Sequence, residues 1–165
     1  MSTCKSFAPI ADEQSRILIL GSMPGIKSLE QQEYYAHPQN RFWRLLALLL
    51  NEDVPQNYAV KQALLHKHHL ALWDTLGYCE RDGSLDSNIK NEAPNAVIEL
   101  VSELPHLQAV VCNGGKAAAV FKKYFAKKLP ERVQVFYLPS TSPANARLRL
   151  EGLAERWRVI LQFLT

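Results

Sequence analysis

The stretch Arg16-Ile17-Leu18-Ile19-Leu20-Gly21-Ser22-Met23-Pro24-Gly25 decides the fold. Four consecutive branched aliphatics have no polar face, so they form a strand buried on both sides, and Gly-Ser-Met-Pro-Gly turns that strand sharply into a loop. Strands covered on both faces belong to parallel sheets with helices above and below. The pattern repeats along the chain. His69–Trp73, Leu107–Cys112 and Val133–Leu138 are further apolar runs of strand length. Between them lie helical segments: one carried by Phe42, Leu45, Leu46 and Leu49; Ala59–Lys67; one opened by Pro94 and carried by Val97, Leu100, Val101 and Leu104; and Lys116–Lys128. A last helix presents Leu150, Leu153, Trp157, Ile160, Leu161 and Leu164. The alternation predicts a three-layer α/β/α sandwich around a mainly parallel four-stranded sheet. The polar, turn-rich stretch from Gly77 to Asn91 reads as a surface loop. Ligands of such sheets bind beyond the carboxyl ends of the strands, and loops 21–40, 74–91, 113–116 and 139–146 all follow strands, so they are expected on one rim.

The remaining bulk properties narrow the class. With 165 residues, 47% hydrophobic and 21% charged, the chain fits a single domain with a real core, preceded by an N-terminal extension over residues 1–15 of uncertain order. No apolar run is long enough to cross a bilayer, and the N-terminus lacks the layout of a secretion signal, so a cytoplasmic protein is expected. Cys4, Cys79 and Cys112 are odd in number and far apart, which speaks against a disulfide framework, a zinc site and a four-cysteine cluster. His66, His68 and His69 have no carboxylate or cysteine at matching spacing, so no metal and no cofactor are expected. The net charge of +3 is compatible with nucleic acid without arguing for it. Lys116, Lys122, Lys123, Lys127 and Lys128 serve either phosphates or a solvated helix face.

Three segments carry chemistry-bearing residues. Tyr34-Tyr35-Ala36-His37-Pro38-Gln39-Asn40-Arg41-Phe42-Trp43 sets an aromatic pair, a histidine and an amide before a helix. Asn113-Gly114-Gly115-Lys116 places a glycine-rich turn at a helix N-terminus, where backbone amides can receive a phosphate. Pro139-Ser140-Thr141-Ser142-Pro143-Ala144-Asn145 is a stiff loop of small residues. In this order, from Arg16 to the last helix, they resemble the uracil-DNA-glycosylase superfamily. Its mismatch-specific uracil/thymine branch carries Gly-x-Asn-Pro-Gly followed by Ala-His-Pro-x-Asn-Arg-Phe-Trp, matched by Gly21–Gly25 and Ala36–Trp43. The hypoxanthine-DNA glycosylase branch is more similar still: it lacks the acidic or amide residue of the first loop, where this chain has Met23, and relies on the asparagine that corresponds to Asn40.

The resemblance implies a glycosylase acting on double-stranded DNA; no lysine of the matched motifs is placed to form a Schiff base with the sugar, so a monofunctional enzyme is expected, with no membrane partner and as a monomer. It would flip out a deaminated base, hypoxanthine first and uracil second, and hydrolyse its N-glycosidic bond. A mismatch uracil/thymine glycosylase and an inert binder of DNA or nucleotides are the alternatives. It implies Asn40 as the residue whose carbonyl aims the water; helix capping is the other reading of that residue. Tyr35 corresponds to the ring that stacks on the extruded base, against a place in the core. Gly21, Ser22 and Met23 form the first base-binding loop. Asp74, in Leu72-Trp73-Asp74-Thr75, occupies the base-reading position, as a carboxylate, as a protonated acid that helps the purine leave, or as a turn cap. His37, Gly114, Gly115, Lys116, Ser140, Thr141, Ser142 and Pro143 are the implied DNA contacts.

Overall fold

A computed structural model describes residues 2–164. In chain order its elements are β1 (Thr3–Lys5), β2 (Ile17–Gly21), α1 (Ile26–Gln31), α2 (Phe42–Leu50), α3 (Tyr58–Lys67), β3 (Leu70–Asp74), β4 (Leu76–Glu80), β5 (Lys90–Pro94), α4 (Val97–Ser102), β6 (Ala109–Asn113), α5 (Gly115–Tyr124), β7 (Gln134–Leu138) and α6 (Leu150–Trp157). Short 3₁₀ helices cover Asp86–Asn88, Ala126–Lys128 and Arg158–Phe163.

Four strands form the central sheet in the order β3-β2-β6-β7, every pair parallel. Strand β2 lies at its centre because it has no polar side chain to place. Leu18 and Leu20 face a core completed by Val97 and Val101 of α4 and by Ala117, Val120 and Phe121 of α5. Ile17 and Ile19 face the other side, where Phe42, Leu45 and Leu46 of α2, Leu65 of α3, and Leu153 and Trp157 of α6 cover them. This is the expected three-layer α/β/α sandwich, and each expected strand is found within two residues of its observed limits. Truncating a fully buried side chain here, such as Leu45 to alanine, costs about 2–5 kcal/mol. Among the described residues no helix is long and apolar enough to cross a membrane.

The structure corrects the sequence reading in several places. Residues 76–80 and 90–94 are not loop: they form an antiparallel pair, β4 with β5, and β1 joins the free edge of β4. Buried Leu76 and Cys79 anchor this small sheet, whereas the exposed turn formers 82–88 remain a loop at its tip. Pro94 ends β5 rather than opening a helix, and α4 begins at Val97. Gly115–Tyr124 is α-helical and the chain tightens to 3₁₀ beyond it; the last helix likewise becomes 3₁₀ after Trp157. The N-terminal segment is fixed in place. Cys4 pairs opposite Cys79, Ile10 bridges to Leu72, and Phe7 O accepts a hydrogen bond from Trp73 Nε1 at 2.8 Å.

Candidate active site

The carboxyl ends of β2, β3, β6 and β7 open into one cleft of about 980 Å³, lined among others by Gly21, Met23, Tyr35, His37, Asn40, Asp74, Asn113, Ser140 and Asn145. The loops expected on one rim meet here.

Asp74 ends β3 beside Gly21 in register, and it is 4% exposed. A Cβ at position 21 would fall 2.6 Å from Asp74 Oδ1 and 3.2 Å from the Tyr35 hydroxyl, so only glycine leaves room for both. The second oxygen, Oδ2, accepts a hydrogen bond from Ser6 Oγ at 2.9 Å. Burial pushes the carboxyl up to about 7; Ser6 pulls it down, the charge of Asp86 adds to the rise, and Arg81 opposes it. Asp74 therefore holds its proton in a substantial fraction of molecules at neutral pH. Thr75 caps the strand end separately, donating from Oγ1 to Gly21 O.

Tyr35 stands on a left-handed backbone, φ 54°, which turns its ring away from that of Tyr34. Tyr34 is buried, donating to Ala8 O and lying edge-on to Phe7. Tyr35 stacks on Phe42 with ring centroids 3.9 Å apart, which fixes its plane while the side chain still lines the cleft. Its hydroxyl accepts from Asn113 Nδ2 at 3.2 Å. Burial and the neighbouring Asp74 push that hydroxyl well above the ordinary tyrosine range, so it stays protonated.

Asn40 precedes α2, whose first residue is Phe42 rather than Arg41. Its Oδ1 accepts from Phe42 N at 3.0 Å and from Thr141 Oγ1 at 2.9 Å. Arg41 is therefore the N-cap, and Asn40, expected there, stands one residue earlier, where its side chain closes an Asx turn onto the first helical N–H and lines the cleft. Both carbonyl lone pairs are engaged within the chain, so the amide nitrogen, and not the carbonyl, is the group left to meet a water. Thr141 is fully buried and continues a polar ladder: its N–H donates to Asn113 Oδ1, and Asn113 Nδ2 donates to Thr141 Oγ1.

The implied DNA contacts separate into two groups. His37 and Pro143 are exposed, as is Gly115, at the start of α5. Gly114 is buried with φ 97°, and a Cβ there would meet Ser140 Cβ at 2.9 Å, so its task is packing. Lys116 is bound to Glu92 Oε1 at 2.7 Å. Lys123 also faces Glu92, and Lys122 lies over the ring of Tyr137, so these lysines are engaged by their own fold. Ser140 and Ser142 turn inward to loop amides, accepting from Ser142 N and Ala144 N. Ser22 donates to Asp86 Oδ1 at 2.6 Å, and Ser84 Oγ accepts from Ile26 N, so the tip of the small sheet folds onto the first loop. Met23 is buried yet lines the cleft. His66 and His68 are paired with Asp12 and Glu52.

Several contributors were not legible in the sequence. Arg41 clamps loop 139–148 by donating to the carbonyls of Ser142, Asn145 and Leu148, and Trp157 Nε1 donates to Pro139 O. Arg81 is fully buried and donates to Pro24 O beneath the first loop. Lys27 lies on the cleft rim, exposed and 3.8 Å from Glu30.

Residues 8–163 match the model of the uracil DNA glycosylase superfamily. The chain is 40% identical to a hypoxanthine DNA glycosylase of Methanosarcina barkeri, over 93% of this chain and 98% of that one. It is 33% identical to a hypoxanthine DNA glycosylase of Methanosarcina acetivorans, over 96% and 98%. A solution NMR structure from Methanosarcina acetivorans, of a protein described as a candidate uracil DNA glycosylase, superposes with a TM-score of 0.85 at 32% identity and covers 99% of each chain. The chain belongs to the uracil DNA glycosylase superfamily.

Proposed function

We propose that this chain is a DNA-repair glycosylase, one domain acting as a monomer, that flips a deaminated base out of duplex DNA and hydrolyses its N-glycosidic bond, with hypoxanthine preferred to uracil. The observation that carries this reading is the meeting of Asn40, Asp74 and Tyr35 in one cleft, with methionine where a first-loop amide or acid would otherwise hold water. The relatives described as hypoxanthine DNA glycosylases support the choice of base.

In this reading the flipped base stacks on the face of Tyr35 opposite Phe42, a contact worth roughly 1–3 kcal/mol. Protonated Asp74 donates to the purine and makes it a better leaving group. Asn40, held by Phe42 N and Thr141, donates from Nδ2 to one lone pair of a water and leaves the other free to attack C1′; the proton that the water sheds as the C1′–O bond forms passes to solvent in the open cleft. Such positioning suffices when bond breaking runs ahead of water attack. Pro143 and Ala144 enter the space left in the stack, and opening that stack costs least at a damaged pair. Excision in this scheme forms no Schiff base with the sugar and leaves an abasic site.

The test is a set of duplexes containing one inosine, one uracil or one G·T pair, sampled with and without alkali. Alkali-dependent breaks, fastest at inosine, are expected. Fastest breaks at G·T would favour a mismatch glycosylase, and breaks formed without alkali would assign Lys27 or another amine a lyase role.

A further inference from the structure

The residue that touches the buried carboxyl most directly comes from a segment that the sequence leaves as an extension of uncertain order. Ser6 follows β1 and lies N-terminal to the stretch 8–163 that matches the superfamily model. The strap carrying it is tied down on both sides of the carboxyl. Ser6 N donates to Gly77 O, Phe7 O accepts from Trp73 Nε1, Ala8 O accepts from the Tyr34 hydroxyl, and Ile10 pairs with Leu72. Two of these partners, Trp73 and Tyr34, directly precede Asp74 and Tyr35. The strap is thereby registered against the site and not merely against the surface.

We propose that Ser6 is a positioning residue of the active site, whose hydroxyl holds Asp74 Oδ2, leaves Oδ1 as the oxygen presented beside Gly21 and Tyr35, and sets how readily the carboxyl keeps its proton. The inference rests on the reading of Asp74 as the acid. An unanchored aspartate turns about its terminal bond and presents either oxygen, whereas a bond at Oδ2 selects one. A hydroxyl that donates to a carboxylate stabilises the ionised form, so it offsets part of the proton retention that burial imposes. The other groups that act on Asp74 are the hydroxyls of Tyr34 and Tyr35 from the segment after α1, Asp86 from the 3₁₀ turn, and Arg81 from beyond β4. Both tyrosines are held neutral, and Asp86 and Arg81 oppose each other. Ser6 is the group in direct hydrogen-bond contact with the carboxyl.

Ser6 also lines a second cleft of about 540 Å³, with Lys5, Gln32, Tyr58 and Gln62.

The experiment is a pH titration of the Asp74 side-chain carboxyl by carbon-13 NMR in the DNA-free protein, the resonance being identified by its loss in Asp74→Asn. Wild type, Ser6→Ala and Ser6→Thr are compared, with the remaining carboxyl resonances as the control for folding. Ser6→Ala is expected to raise the Asp74 midpoint by about one pH unit, the scale of one lost hydrogen bond to a charged group. Ser6→Thr, which retains the hydroxyl, is expected to keep the wild-type midpoint. An unchanged or lowered midpoint in Ser6→Ala, or an equal rise in both variants, would overturn the proposal. Because the readout needs no excision, these outcomes are independent of whether Asp74 is the acid: that reading fails if the midpoint moves as expected while Asp74→Asn excises hypoxanthine like wild type.

Discussion

The inner wall of the cleft and its rim arise from the same strand ends, but they treat their polar atoms in opposite ways. On the inner wall Asp74 and Thr141 are buried, and Asn40 and Asn113 are half-buried; hydrogen bonds from Ser6, Phe42 and one another hold all four. On the rim His37, Ser84, Leu85, Ser87, Pro143 and Ala144 are exposed; among the described residues Ser84 and His37 accept only from nearby backbone N–H groups, and Arg41 and Trp157 brace the loop after β7 from behind. A buried, pre-bonded group has a fixed direction and a shifted proton affinity, both of which suit a reacting bond. An exposed, stiffened loop suits a large and variable surface such as a duplex. Substitutions on the inner wall should therefore change the chemical step, and those on the rim should change grip.

The largest expected effect tests the inner wall. Asn40→Ala should slow single-turnover excision of hypoxanthine by roughly a hundredfold or more, with little loss of affinity for the lesion duplex. If the variant loses about 1 kcal/mol of stability and excises at the wild-type rate, Asn40 is a cap and the inner wall lacks its water-holding residue. Asp74→Asn should lower hypoxanthine excision by roughly tenfold to a hundredfold near neutral pH, and raise uracil excision relative to it, because the amide suits a carbonyl beside an N–H. An unchanged ratio removes Asp74 from base reading.

The same substitution has a stability signature. The folded carboxyl is raised above its ordinary value of 3.8 to about 7, so the stability it contributes is complete below pH 4 and is lost as the pH rises through 7. Asparagine does not titrate. Urea unfolding should find Asp74→Asn gaining on wild type between pH 4 and 7, after which the difference between the two stays constant. A constant difference across that window would mean that Asp74 titrates normally.

Tyr35 sits where wall and rim meet. Tyr35→Ala should weaken binding and slow excision together, by about tenfold, whereas Tyr35→Phe keeps the ring on Phe42 and should be mild. Unfolding of both would place the ring in the core. The smallest effect belongs to the rim: Pro143→Gly should reduce excision from duplex DNA a few-fold and leave single-stranded substrate nearly untouched, since only the duplex must be opened. An equal loss on both substrates would put Pro143 with the inner wall.

The contrast also explains what could be read in advance. The parallel sheet was legible because β2, β3 and β6 are apolar on both faces, a pattern that few other structures accept. The antiparallel sheet was not. Its strands are three to five residues long, and strand β5 is almost wholly exposed, so the pairing of β1 with β4 across the chain defines it, with no local period to announce it. Gly21, Asp74 and Asn40 could be singled out because they stand in segments that match the superfamily's motifs, at the ends of β2 and β3 and just before α2. Their holders could not: Ser6 lies 68 residues from Asp74 and Thr141 lies 101 from Asn40, and serine or threonine in a polar stretch carries no mark of its partner. For the same reason Thr141 and Gly114 looked like DNA contacts when the structure makes them internal supports.

The central claim is that a buried, protonated Asp74 drives release of the purine, and the pH dependence of excision tests it most directly. Single-turnover rates on an inosine duplex should be measured from pH 5 to 9 for wild type and Asp74→Asn. The account predicts that the wild-type rate falls as the pH rises through about 7 and that the variant, slow throughout, has lost this limb. A variant that keeps the wild-type pH dependence would contradict it.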